Sequence, residues 1–166
     1  RGLPILSKRN LPGIDALAEV AAARPEITVA DCGFGLGPRI NAGGRIGDSS
    51  SGTKLLLETN PTAARQRADA LSDLNRERQM MEKSCTEAAL EQVRDGFIPG
   101  HTRRLAVAVV EAHEGIVGIS AARVKEALDA PAFVLAPAGD GLLKGSGRSV
   151  AGFDLGAAII AARKAG

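Results

Sequence analysis

The run Lys144-Gly-Ser-Gly-Arg-Ser-Val-Ala-Gly-Phe-Asp-Leu155 sets a guanidinium and two hydroxyls among glycines, just ahead of an apolar, helix-compatible stretch. These are the parts of an anion-binding turn. Backbone N–H groups at Gly145 and Gly147 could face a phosphate, Arg148 could grip two of its oxygens, and a helix would begin after Phe153. An ordinary strand-to-helix connection ending in a surface arginine uses the same residues, so this run alone leaves both readings open.

A second candidate lies between residues 27 and 47, where a short β-favouring run, Ile27-Thr-Val-Ala30, gives way to a glycine-dense segment with six glycines in positions 33–47. If this segment is helical, Arg39, Asn41 and Arg45 fall within two turns and could share a polar face; the alternative is a glycine-rich surface loop. The two histidines differ in placement. His101, beside Pro99-Gly100 and Arg103-Arg104, reads as a solvated loop residue. His113 stands at a strand-to-helix corner, where a general acid or a phosphate donor could work, although a lone corner histidine is more often structural. Glu111 and Glu114 flank it without forming, by spacing, a carboxylate cluster suited to Mn²⁺ or Mg²⁺.

Several chemistries are excluded. No GxxxxGK[ST], HExxH, DxD or GxSxG occurs, and Gly33-Phe-Gly35 and Gly145-Ser-Gly147 both lack the third glycine of a dinucleotide fingerprint. Cys32 and Cys85 have no Cys or His neighbours at ligand spacing, so neither zinc nor a disulfide framework is expected, and a reducing cytoplasm fits. No apolar run reaches the roughly 18 residues of a membrane span, and no signal-peptide pattern opens the chain.

The elements that must position these residues follow from periodicity. Ile14, Leu17, Ala18 and Ala21 recur at helical spacing, which predicts a helix over 11–23, stopped by Arg24-Pro25. A short helix is expected over 53–57, then Asn60-Pro61 as cap and first-turn proline of a long one. Residues 62–94 contain no Gly or Pro and alternate charge signs, with Ala64, Ala68, Leu71, Leu74, Met81, Ala88 and Leu90 as a thin apolar stripe. At 1.5 Å per residue that helix would span about 45–50 Å, long enough to connect two domains, with Asp95-Gly96 as its stop. The last seventy or so residues read strand (105–110, buried), helix (115–128), strand (132–136), a loop or short strand (144–149) and helix (154–164), a small α/β domain.

Composition agrees with a globular α/β chain of 166 residues, 45% hydrophobic and 24% charged. The only aromatics are four Phe, so a platform of Tyr or Trp stacked on bases is not expected. Net charge is only +2, yet 15 of the 21 basic residues are Arg, the type suited to bidentate phosphate contacts.

Three segments, in order, carry a family likeness: Gly37-Pro-Arg-Ile-Asn-Ala-Gly-Gly-Arg45, His113-Glu-Gly-Ile-Val-Gly-Ile-Ser-Ala-Ala-Arg123, and Gly145-Ser-Gly-Arg-Ser149 with Gly152-Phe-Asp-Leu155. Together with Leu74-Asn-Arg-Glu-Arg78 they resemble the RecJ-type single-strand-specific 5′-to-3′ exonucleases of the DHH phosphoesterase superfamily. The resemblance implies the C-terminal part of a DHH domain over 1–58, a connecting helix over 59–95, and a truncated DHH-associated substrate-binding domain, a helix-covered mixed sheet, over 96–166. It implies that Arg39 contacts phosphate, with Asn41 and Arg45 in the same motif, and that Ser146, Gly147 and Arg148 clamp a 5′-phosphate and backbone. His113, Gly115, Gly118 and Arg123 are implied as supporting residues. Glu114 stands where many relatives have proline, which favours a helix-start role for His113 over direct contact.

The resemblance further implies Mn²⁺ or Mg²⁺ in the intact enzyme. The family's metal-binding aspartates and Asp-His-His motif lie upstream of the matching region, and its Gly-Gly-His motif and OB domain lie beyond it. No catalytic residue is therefore expected in this chain, which should be inactive alone and a piece of something longer. A 5′-phosphorylated single strand, a cytoplasmic setting in DNA repair and recombination, and single-strand-binding protein and helicase partners are what the family leads one to expect. A related phosphoesterase acting on short oligonucleotides, cyclic dinucleotides or polyphosphate, and a non-catalytic binding module, are the alternatives.

Overall fold

The computed structural model describes residues 2–94 and 105–166; the expected stop at Asp95-Gly96 and the loop position of His101 lie outside the described residues. The chain forms two compact units, Arg1–Gln79 and Met80–Gly166.

The first unit is helical: α1 (Gly2–Ser7), α2 (Pro12–Val20), a π-helical stretch (Asp31–Leu36) running into α3 (Gly37–Ile46), α4 (Ser51–Leu56), and the first half of α5 (Pro61–Arg94). The β-favouring run expected at residues 27–30 is not a strand. Thr28 and Asp31 form a reciprocal cap instead: Thr28 donates its N–H (2.8 Å) and Oγ1 (2.7 Å) to Asp31 Oδ2, and Asp31 N–H donates back to Thr28 Oγ1 (3.3 Å). Those bonds from Thr28 hold the Asp31 carboxyl below its usual range. Helix therefore begins at once, and the β-branched side chains of Ile27, Thr28 and Val29 do not prevent it. Gly37 N–H reaches back five residues to Cys32 O, and a Cβ at Gly37 would lie 2.8 Å from that oxygen, so glycine fits the wide turn that opens α3.

α2 and α4 meet closely because a Cβ at Gly13 would sit 2.0 Å from Leu55 O. Around this approach Leu17, Ala18, Leu55, Ala64, Ala68 and Leu71 form the core, each at most 1% exposed. The predicted helix over 11–23 ends at Val20, where Ala21 N–H closes the last turn on Leu17 O and Ala22 takes a positive φ of 51°. Leu71→Ala should lower stability by about 2–3 kcal/mol through lost burial and a residual cavity. A thermal melt unchanged from the parent would show that this stripe of α5 does not carry the core.

The buried stripe of α5 advances by steps of three or four: Ala64, Ala68, Leu71, Asn75, Cys85, Ala89 and Val93 are buried, while Arg78 and Glu82 continue the spacing half-buried. The expected stripe is corrected at Ala88, which is exposed; its neighbour Ala89 is the buried residue. A polar centre hides the regular spacing from a count of apolar residues.

The second unit adds β1 (Ala106–Val109), α6 (Glu114–Leu128), β2 (Ala132–Pro137), β3 (Leu143–Arg148) and α7 (Leu155–Ala165). The sheet order is β1-β2-β3, parallel between β1 and β2 and antiparallel between β2 and β3. α6 is the crossover that a parallel pair requires. Its Ile116, Val117, Ala121 and Val124 bury against the sheet with Ala108 and Val134. β1 is not buried on both faces as expected: Ala106 and Ala108 point inward, while Val107 and Val109 are 48% and 39% exposed. Its backbone at Val109 is satisfied by Gln92, whose amide accepts from Val109 N–H (2.6 Å) and donates to Val109 O (3.1 Å), standing in for a neighbouring strand.

Candidate functional site

In the first unit the candidate residues all lie on α3, but they do not form one face. At about 100° per residue, Asn41 and Arg45 share a side and Arg39 points nearly opposite. The expectation of a common polar face is therefore corrected for Arg39. Asn41 and Arg45 are exposed. Arg39 instead lies half-buried against α5, donating from Nη1 to Gly35 O (2.8 Å) and from Nε to Ser72 Oγ (3.3 Å). Both partners are neutral. Burial, and then the charge of Arg76, hold the Arg39 pKa below its ordinary value. Ser72 and Arg76, with Asp73, line an open groove of about 380 Å³. Ser72 escaped the sequence reading because 33 residues separate it from Arg39, and Arg76, 37 residues on, entered only within the matching segment Leu74-Asn-Arg-Glu-Arg78; position, one helical turn apart on α5 beside the buried Leu71 and Asn75, was the further signal.

In the second unit the glycine run takes the second of its two expected forms, a short strand rather than a loop. Gly145 and Gly147 are not in a turn but inside β3, opposite Leu135 and Phe133. They are glycines because β2 comes too close for anything larger. A Cβ at Gly145 would lie 2.3 Å from Val134 O, and one at Gly147 2.6 Å from Phe133 Cε1. Their N–H groups are nevertheless directed outward. Leu135 O accepts from Val110 N–H, so odd-numbered residues of β2 turn their peptide groups to β1. The residues opposite them, Gly145 and Gly147, then turn theirs away from β2, to the side where β3 has no further strand among the described residues.

Side chains at 144, 146 and 148 share the face of β3 that meets α6. Arg148 Nη1 donates to Ser146 Oγ (2.7 Å) and Gly147 O (2.9 Å). Gly118 makes room for this pair: its missing Cβ would lie 3.1 Å from Arg148 Nη2 and 3.5 Å from Ser146 Oγ. One turn earlier on α6, Glu114 is ion-paired with Lys144, whose ammonium holds the Glu114 carboxyl below its usual range. His113 is the N-cap of α6, its Nδ1 accepting from Gly115 N–H (3.1 Å), which assigns the ring proton to Nε2. Arg123 is engaged elsewhere, with Glu82 of α5 and Glu126, both at 3.3 Å. Those two carboxylates raise its pKa. α7 is capped by Asp154, which accepts from Ala157 N–H (2.9 Å).

Charge compensation separates the arginines. Arg9, Arg24, Arg65, Arg67, Arg76 and Arg123 each have a carboxylate within 4.0 Å. Arg39 and Arg148 are held by neutral oxygens, with no carboxylate partner among the described residues. Two fixed guanidiniums whose charge is left uncompensated, one in each unit, suit anionic ligands. Among the described residues no three His, Cys, Asp or Glu side chains gather as a divalent-ion site would need, and no helix is long and apolar enough to cross a membrane.

No family model matches the chain. Proteins named single-stranded-DNA-specific exonuclease RecJ are similar to it: that of Escherichia coli strain K12 is 45% identical over 151 residues, 87% of this chain and 26% of the relative, and that of Dickeya dadantii strain 3937 is 44% identical over the same shares. Crystal structures of RecJ from Thermus thermophilus in complex with Mg²⁺ and of an exonuclease RecJ bound to manganese superpose with TM-scores of 0.82 and 0.79 at 28% and 29% identity. They cover 98% and 96% of this chain, and the chain covers 24% and 38% of them. The chain thus spans about a quarter of the length of the curated relatives it matches.

Proposed function

We propose, from the premise that this chain is a RecJ-type segment of the DHH phosphoesterase superfamily, that it positions the phosphates of a DNA single strand within a 5′-to-3′ exonuclease. The observation that carries the proposal is the uncompensated charge of Arg39 and Arg148, each oriented by neutral hydrogen-bond acceptors while neighbouring arginines are ion-paired. Arg148, Ser146 and the outward N–H groups of Gly145 and Gly147 would take the 5′-terminal phosphate, and Arg39 another phosphate of the strand. Gly118 would admit the Arg148 pair, while His113, Gly115 and Arg123 would serve by shaping and anchoring α6. Asn41 and Arg45 would contact the strand from a different side of α3 than Arg39.

Relatives with bound Mg²⁺ and manganese support a divalent ion in the whole enzyme, where it would activate the attacking water. The described residues do not fit such an ion, so no step through it is assigned to this chain. Its contribution is positioning, in a cytoplasmic enzyme of DNA repair and recombination. We read residues 1–58 as the C-terminal part of the DHH lobe, 59–95 as the connecting helix and 96–166 as the truncated substrate-binding lobe.

Arg39→Ala should weaken binding of a single strand to the chain about fivefold or more, because a half-buried, charge-assisted contact is lost. The loss should shrink as salt rises and the contact is screened. Fluorescence anisotropy at two salt concentrations measures this; parent-like affinity at low salt would remove Arg39 from the interface.

A further inference from the structure

We infer that Lys144 is a further substrate-positioning residue, taking the phosphate one nucleotide along the strand from the one held by Ser146 and Arg148. The inference rests on the reading of those two residues as phosphate contacts. β3 places Lys144, Ser146 and Arg148 on one face, two residues apart, which repeats donor groups every roughly 6.8 Å. That step is comparable to the repeat of an extended nucleic-acid backbone, so a strand lying along β3 would bring successive phosphates to successive donors.

Two features fit this role. Glu114 pairs with Lys144, and Glu114 and Gly118, one turn apart on α6, lie under Lys144 and under Ser146 with Arg148 respectively. The Lys144–Glu114 pair is exposed, with side chains 65% and 62% accessible. An exposed pair contributes little to stability and can be exchanged readily for a phosphate. Glu114 therefore acts as a competitor that a phosphate displaces.

The test is anisotropy of the chain with a 5′-phosphorylated oligothymidine, alongside Arg148→Ala as a control for the underlying reading. Lys144→Gln should bind about fivefold more weakly, the scale of one exposed charge contact. Its plot of log affinity against log salt should be shallower by about 0.7. A neutral methylphosphonate at the first internucleotide linkage should weaken the parent similarly and add nothing to the loss in Lys144→Gln. Glu114→Gln, which frees the ammonium, should bind about twofold or more tightly. If Arg148→Ala weakens binding while Lys144→Gln and Glu114→Gln match the parent, the assignment of Lys144 is overturned and the phosphate reading stands. If the parent itself shows no binding to the single strand, both fall.

Discussion

Arg148→Ala is expected to lower kcat/KM on a 5′-phosphorylated single strand about tenfold or more in a full-length RecJ-type enzyme carrying this sequence. It should weaken binding to the present chain by a similar factor. Among the described residues the side chain has no carboxylate partner to relax toward, and it is aimed by Ser146 Oγ and Gly147 O, so its removal deletes a preset charged donor rather than a surface ion pair. A charge-assisted contact of this kind is worth roughly 1.5–3 kcal/mol, which sets the size of the effect. Arg148→Lys should restore only part of the loss, since lysine keeps the charge without the two-pronged geometry. Equal kinetics for the parent and Arg148→Ala would exclude the residue from the site.

Gly145→Val should be the most disruptive substitution in the second unit, costing about 3–5 kcal/mol or abolishing folding of the sheet. A Cβ there would stand 2.3 Å from Val134 O and 2.7 Å from Leu135 Cα, both backbone atoms that cannot swing aside. β3 would have to leave β2, and with it Ser146 and Arg148 would lose their position over Gly118. The expected result is a melt lowered by many degrees together with lost binding of single-stranded DNA. A normal melting temperature would mean that β3 tolerates a wider spacing than the structure shows. Arg148→Ala differs in kind: it should impair binding with an almost unchanged melt, because the side chain is exposed.

The contrast between these two variants explains what could and could not be read in the sequence. α5 was legible to within a residue of its start because Asn60-Pro61 marks that start and no Gly or Pro follows through Arg94. The alternation of strands and helices after residue 105 was equally legible, since β1 is a run of alanine and valine, β2 a short apolar run, and α6 begins at a capped corner. β3 was obscure for a physical reason. Its glycines answer to Phe133, Leu135 and Leu155, contacts made only after folding, whereas locally Gly-Ser-Gly looks like a turn. A helix over the glycine-dense segment was one of its two readings, but its early start after Thr28 was hidden by the β-branched Ile27, Thr28 and Val29, although the Thr28-to-Asp31 capping pattern was present in the sequence.

The candidate site divides the same way. Arg148 was a candidate from its residue types and Arg39 from motif likeness, but the fixing of each guanidinium by neutral oxygens, with no carboxylate partner among the described residues, depends on the folded structure. Arg123 shows the converse: it belongs to a matching segment, yet Glu82, 41 residues earlier, accounts for its charge. Lys144 was in view from the start, but its alignment with Ser146 and Arg148 required knowing that the run is a strand.

The most direct test of the account is the anisotropy of this chain with a 5′-phosphorylated single strand at low and moderate salt, with unphosphorylated strand and duplex as competitors. The account predicts salt-sensitive binding that the unphosphorylated strand competes for weakly and the duplex more weakly still. Equal competition by all three, or no binding at low salt, would contradict the claim that these residues form a phosphate-positioning surface for single-stranded DNA.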